Sequence, residues 1–398
     1  MRISTANAFE ASVDSLQKRQ KDLSEAQAQL TSGKRVLRAS DDPTAAARAE
    51  RALATSARSD ASMRALEASR NALTLGESAL ADAGELLQQI RETLVQAGNA
   101  SYSDAERSSL ADKVAGLRAQ LLAAANRGDG AGGYLFGGQG ASLPPFLDAP
   151  GGVQYRGTRG EIQVAMTEQM PLTLDGAATW LQARTGNGVF QTAPMAGNAG
   201  NAWIDAGRVT DPGAVTGSTY TLQFSVSGGS TTYTVLRDGN PTALTNLPYQ
   251  SGKAIEIDGM AFSVNGAPAN GDRFETTPSA PTLSVFDTID RVVAELKTPS
   301  RASGQIAQTV NSGLRDIDQS MSTLNSARAR VGELLNLSDG AESRLDDLKL
   351  YAQSERSNAE DLDMVQAISD FQGQQSGYDA ALKTYAMVQK MSLFEYIG

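Results

Sequence analysis

The stretch Leu66-Glu-Ala-Ser-Arg-Asn-Ala-Leu73-Thr-Leu-Gly-Glu-Ser-Ala-Leu80-Ala-Asp-Ala-Gly-Glu-Leu-Leu87-Gln-Gln-Ile-Arg-Glu-Thr-Leu94 decides how this chain is built. Its leucines recur every seventh residue over four heptads. Ser69, Gly76, Ala83 and Ile90, three positions after the first four, complete a narrow small or apolar seam. A helix with such a seam requires a facing helix. Upstream, Ser40-Asp41-Asp42-Pro43 supplies the start, because Asp42 can cap free N–H groups and Pro43 fits the first turn. No proline interrupts Thr44 to Ala97, so at about 1.5 Å per residue the helix can extend roughly 80 Å.

Working outward, Ser103-Asp104-Ala105-Glu106 reads as a capping box. Leu110, Val114, Leu117 and Leu121 form the face of the helix that follows, which ends near Asn126. Helix returns after Pro281, where Val310, Ile317, Leu324 and Val331 are seven apart and Leu314, Met321 and Leu335 fill the alternate rows. Both ends carry weaker seams. Phe9, Leu16, Leu23 and Leu30 are seven apart with Val13 between the first two, on a helix from about Thr5 to Thr31 closed by Ser32-Gly33. Met364, Phe371, Tyr378 and Tyr385 repeat the pattern near the other end, interleaved with Ile368 and Leu382, and Phe394 and Tyr396 follow. Gln20 and Gln27 stand where the first pattern calls for hydrophobes, so that helix is marginal alone.

The middle of the chain is different. From Gly128 the composition shifts to glycine, threonine and short alternating runs such as Tyr220, Leu222, Phe224, Val226 and Met260, Phe262, Val264. Asp238-Gly239, Asp258-Gly259 and Asn265-Gly266 are hairpin-turn dipeptides. The expected fold is α+β: an elongated antiparallel helical bundle or coiled coil from the N- and C-terminal segments, with a central, mainly antiparallel β domain inserted. The expected segments are 1–38 (terminal coiled-coil helix), 39–129 (long rod helices), 130–282 (β-rich outer domain), 283–355 (returning rod helices) and 356–398 (C-terminal coiled-coil helix). Going out and coming back by helices places both termini at one end of a rod. The inner stripes read as an ordinary bundle core. The terminal seams, single helices with polar interruptions and aromatic residues in the last turns, read as an assembly interface.

Composition removes whole classes of function. The 398 residues carry a formal charge of -10 and contain no cysteine and no histidine, so disulfides, thiolate nucleophiles, imidazole bases and most transition-metal ligand sets are excluded. An acidic chain is a poor partner for nucleic acid or anionic lipid. No stretch reads as a membrane span or as the apolar core of a signal peptide, so secretion is expected by a route without a cleaved signal. The remaining catalytic candidates are carboxylate pairs: Asp41 with Asp42 reads as a cap, Asp346 with Asp347 as a solvated face, and Asp361 and Asp363, two apart on a helix, point away from each other. The glycines of Gly128 to Gly138 lack the Gly-Lys-Ser/Thr ending of a phosphate loop. No catalytic residue, cofactor or metal site is expected.

Several stretches resemble the bacterial flagellins and their hook-associated relatives, over both helical ends and about three fifths of the chain. Leu30-Thr-Ser-Gly-Lys-Arg-Val-Leu37 followed by Ser40-Asp-Asp-Pro43 is similar to the turn and aspartate pair of flagellin N-termini, and proline at 43 favours a hook-associated member. Leu87-Gln-Gln-Ile-Arg-Glu-Thr-Leu-Val-Gln-Ala97, Gly133-Tyr-Leu-Phe-Gly-Gly138, Asp361-Leu-Asp-Met-Val-Gln-Ala-Ile-Ser369 and Ser392-Leu-Phe-Glu-Tyr-Ile397 resemble the hook-filament junction members, the hook-associated protein 3 family. The resemblance implies a structural subunit exported by the flagellar type III apparatus, with a chaperone on its C-terminal helix. It implies a short ring between the first hook-associated protein and flagellin, at the extracellular hook-filament junction. A filament flagellin is the alternative, and a secreted carboxylate-dependent hydrolase with coiled-coil display a distant third.

Overall fold

The chain is described by a computed structural model covering residues 2–138, 142–158, 161–163, 169–171 and 173–397. Three helices come first: α1 (Arg2–Ser32), α2 (Pro43–Ala97) and α3 (Asp104–Ala125). Four short strands follow, β1 (Phe146–Ala149), β2 (Gly152–Tyr155), β3 (Glu161–Gln163) and β4 (Gln169–Pro171), then the short helix α4 (Gly176–Trp180). The larger β region begins with β5 (Phe190–Pro194), β6 (Trp203–Ile204), β7 (Arg208–Val209), β8 (Tyr220–Ser227) and β9 (Ser230–Arg237). It continues with β10 (Asn240–Pro241), β11 (Leu247–Pro248), β12 (Ala254–Ile257), β13 (Met260–Asn265) and β14 (Arg273–Pro278). Helices α5 (Val285–Lys297), α6 (Ser303–Glu360) and α7 (Met364–Ile397) complete the chain. It divides into two compact units: residues up to Arg64 together with those from Ala341, and Ala65–Gly340.

In the larger unit the heptad leucines do what their spacing dictates. Leu66, Leu73, Leu80, Leu87 and Leu94 are buried, as are Ile317, Leu324 and Val331 of α6. Gly84 of α2 faces Leu324 of α6, and a Cβ on Gly313 would lie 2.6 Å from Leu94 and 2.8 Å from Val292, so α6 comes close to both α2 and α5 at that glycine. Ion pairs Arg70–Asp339 (3.0 Å), Glu77–Arg328 (2.6 Å) and Arg91–Asp318 (2.8 Å) step up α2 while stepping down α6, so the helices run antiparallel. The capping box forms as expected: the Ser103 hydroxyl accepts from the Glu106 N–H, and the Glu106 carboxylate accepts from the Ser103 N–H at 2.7 Å. On α5, Ile289, Val292 and Leu296 are buried, and Lys297 ties α5 to Asp112 of α3 at 2.6 Å.

The β region holds two sheets and two isolated antiparallel pairs, β1 with β2 and β3 with β4. The larger sheet runs β10-β9-β8-β14-β5 with β11 also on β9, and the second runs β12-β13-β6 with β7 on β13. Tyr220, Leu222, Phe224, Val235 and Phe274 from the first share one core with Ile204, Ile255, Met260, Phe262 and Val264 from the second. Asp238-Gly239 turns β9 into β10 and Asp258-Gly259 turns β12 into β13, with positive φ at all four residues (49° and 82°, 44° and 74°), as a type I′ turn demands. Asn265-Gly266 is not a hairpin, contrary to the sequence expectation. Gly266 instead passes so close to Asn201 that a Cβ would lie 2.2 Å from its carbonyl oxygen. The β8–β9 hairpin is made by Gly228-Gly229, which the dipeptide pattern had not singled out.

A knot of aromatic side chains joins strands to helices within this unit. Trp180 stacks on Phe286 of α5 at 6.0 Å and meets Phe136 edge-on at 5.4 Å, with Phe146 6.4 Å away. Arg118 of α3 lies over the Phe286 ring at 5.8 Å and donates to Asp148 and to Asp290, the latter at 2.8 Å. Beyond the knot, buried Arg315 of α6 donates to the Thr192 carbonyl at 2.9 Å, and Gln308 accepts from the Ile204 N–H at 2.9 Å. The chain enters and leaves the two sheets at one place, where the Ser279 N–H donates to the Val189 carbonyl at 2.9 Å.

Candidate assembly interface

In the smaller unit, α1 ends at Ser32 because Gly33, at φ 71°, takes the left-handed C-terminal position and donates back to Gln29 at 2.8 Å. The turn that follows is held by hydrogen bonds. Asp41 accepts from the N–H groups of Leu37 (3.1 Å) and Arg38 (2.8 Å), and Asp42 accepts from the Ala45 N–H (3.0 Å) and the Thr44 hydroxyl (2.7 Å). Those bonds, the backbone one first, together with Arg35 at 3.3 Å, hold the Asp42 carboxyl down at about 2. Asp42 is the α2 cap that the sequence indicates.

That turn clasps the α6–α7 junction. The Arg35 N–H donates to the Glu360 carbonyl at 2.7 Å, and the Leu362 N–H to the Gly33 carbonyl at 3.0 Å. Lys34 pairs with the Glu360 carboxylate at 3.0 Å, Arg356 donates to the same group, and the Arg35 guanidinium reaches the Ala359 carbonyl at 2.9 Å. Burial alone would push the Glu360 carboxyl up, but Lys34 and Arg356 together bring it below its ordinary range. Asp361 accepts from Ser357 and Asp363 caps α7 through the Val365 N–H at 3.0 Å, so both carboxylates of this pair are engaged locally. Thus Leu30–Pro43 and Asp361–Ser369, far apart in sequence, form one structure. Within the same unit small side chains are buried, Ala45, Ala49, Ala52 and Ser59 on α2 and Ala352 and Ala359 on α6, and Lys349 of α6 pairs with Asp60 of α2 at 2.7 Å.

Helices α1 and α7 also pack on each other. Val13, Leu16, Leu23 and Leu30 on α1, and Phe371, Tyr378 and Tyr385 on α7, are each half-buried. Met364, Ile368 and Leu382 stay exposed, at 44%, 46% and 41%. Phe9, Phe394 and Tyr396 lie outside the residues whose side chains are described. Gln20 and Gln27 turn outward instead of interrupting the packed face. No described side chain of α1 or α7 is fully buried, and on α7 Val365 is 83% exposed and Met387 62% exposed. The arrangement can bind apolar helices. Among the described residues no group of acidic side chains converges as a metal site, and no helix is long and apolar enough to cross a membrane. The clasp and the aromatic knot are the features sequence reasoning missed, because each depends on residues brought together from distant segments.

Comparison with known proteins gives these features a context. Residues 3–141 match the family model of the bacterial flagellin N-terminal helical region, and residues 194–278 match that of the D2-like domain of flagellar hook-associated protein 1. The crystal structure of FlgL from Xanthomonas campestris in space group C2 is 31% identical, with a TM-score of 0.68 over 78% of this chain and 99% of that one. The flagellar hook-associated protein-3 structure from Legionella pneumophila is 28% identical, with a TM-score of 0.69 over 74% of this chain and 94% of that one. The chain belongs to the flagellar hook-associated protein 3 family. Flagellar hook-associated protein 3 of Salmonella typhimurium is 32% identical over 192 residues, 48% of this chain. That match spans 57% of the curated relative's length. For a member of the hook-associated protein 3 family, the clasp residues are those by which the two ends of the chain are tied together.

Proposed function

We propose that this chain is a structural subunit of the bacterial flagellum that joins hook to filament outside the cell, after export by the flagellar type III system. Membership of the hook-associated protein 3 family supports this reading. The observation that carries it is the α1–α7 pair, whose seam brings two helices together yet leaves apolar residues half covered or bare. Phe9, Val13, Leu16, Leu23, Leu30, Met364, Ile368, Phe371, Tyr378, Leu382, Tyr385, Phe394 and Tyr396 are the proposed assembly interface. The segments 1–38 and 356–398 are the proposed core-forming ends, and the β-rich segment is the outer one.

The proposed partners are further copies of the chain in a ring, the first hook-associated protein on the hook side, flagellin on the filament side and an export chaperone on α7. Exposed Val365, Ile368 and Met387 offer that chaperone an apolar face before assembly. No catalytic role is assigned: Asp42 and Asp363 are spent as helix caps, and Asp346 and Asp347 face solvent. Cells lacking the protein should build hooks without filaments and release flagellin into the medium. Normal filaments in such cells would overturn the junction role.

A further inference from the structure

Two helices of the smaller unit carry unsatisfied charge of opposite sign. On α2, Arg48, Arg51, Arg58 and Arg64 are exposed and, among the described residues, none pairs with a carboxylate, while Glu50 is the one exposed unpaired acid on this stretch. The guanidinium groups of Arg51 and Arg58 fold back onto carbonyls of their own helix, Ala47 and Ala54, both at 3.2 Å. On α6, Asp347 and Glu355 are exposed and likewise unpaired. Other charges on the same two helices are matched, as in Asp60 with Lys349 at 2.7 Å, so the unpaired groups mark particular faces.

The two faces also match in shape. Arg51 and Arg58 are seven residues apart and Asp347 and Glu355 eight, about 10.5 and 12 Å along a helix. Between the acids project Leu350 and Tyr351, exposed by 67% and 64%. Between the arginines lie the exposed apolar residues Leu53, Ala54 and Ala57, Leu53 at 43%. One face is a basic strip with an apolar centre of Leu53 and two alanines. The other is an acidic strip with a projecting apolar centre.

We infer that the α2 face around Arg51 and Arg58 receives the α6 face around Leu350 and Tyr351 of a second copy of this chain. The inference rests on the subunit role proposed above. The contact is heterologous, joining different patches on neighbouring copies, and repetition of such a contact closes into a ring when the rotation permits. Charge fixes the choice of face, and the apolar pair supplies the burial.

The chain contains no cysteine, so introduced cysteines report the contact directly. In cells assembling flagella from two co-expressed chains, one tagged Ala54→Cys and one Tyr351→Cys, mild oxidation should yield a covalent dimer containing both. Cells expressing either variant alone should yield none. Arg51→Glu with Arg58→Glu should abolish the dimer, and Asp347→Arg with Glu355→Arg in the other chain should restore it. Circular dichroism of each purified variant verifies that it folds. Absence of the mixed dimer from assembled flagella, or same-variant dimers instead, would overturn this interface. In that case filaments still attached at the hook would leave the junction role intact, and their loss from cells without the protein tests that role separately.

Discussion

Asp42 and Glu360 secure the two halves of the clasp, and both have carboxyls held below their ordinary range. In an unfolded chain they titrate near about 3.9 and 4.3. A folded value below the unfolded one means that folding favours the ionised form. The stabilisation is therefore complete above about pH 5 and is lost as pH falls from about 4 toward the folded values, about 2 for Asp42. The double variant Asp42→Asn, Glu360→Gln should unfold more readily at pH 7 and should lose part of its acid sensitivity between about pH 4 and 2, as followed by far-ultraviolet circular dichroism. An unchanged acid limb would show that the clasp does not contribute. The Asp42 cap is legible from Asp-Asp-Pro, because capping is local chemistry. Lys34 and Glu360 lie 326 residues apart, and no local pattern announces that pairing.

At the scale of elements, burial separates the two classes of seam that their spacing alone could not. Leu87 is fully buried between helices, so Leu87→Ala should cost about 2–5 kcal/mol in urea unfolding. Leu23 is half-buried, and Leu23→Ala should cost roughly half of that or less. Ile368 and Leu382 are nearly half exposed, so Ile368→Asp with Leu382→Asp should leave the monomer's Tm almost unmoved while abolishing stable filament attachment. The proposed interface would bury what remains exposed of each, worth roughly half of the 1.5–3 kcal/mol of a full burial, and aspartate would add the cost of desolvating a charge. A large fall in Tm would mark both as private core, and normal motility would remove them from the interface. Heptad spacing made the helices and their antiparallel pairing legible. It could not show which side of α7 faces α1, because Phe371 and Ile368 are both apolar and one turn apart.

At the scale of the whole molecule, the β sheets are an insertion that the chain enters and leaves at one place, with limits narrower than glycine content suggests. A cut at 140 would remove Phe146 and Trp180, which pack on Phe286 of α5. The physical boundary is the Val189–Ser279 hydrogen bond, because there the chain enters and leaves within 2.9 Å. Replacing residues 190–278 with a short glycine-serine linker should leave a folded, exportable chain that still attaches filaments. Replacing 140–280 should expose the aromatic knot and lower Tm sharply. Equal stability of the two deletions, measured by thermal unfolding, would show that the knot is not a core. The knot was illegible in the sequence because its rings come from four segments between Phe136 and Phe286, of which only α5 has a periodicity of its own.

The central claim is a position: this chain joins hook to filament. Immunogold labelling of the full-length protein on intact flagellated cells tests it most directly. The account predicts gold confined to a narrow band where the filament meets the hook, whereas gold distributed along the filament would contradict it and identify a filament flagellin.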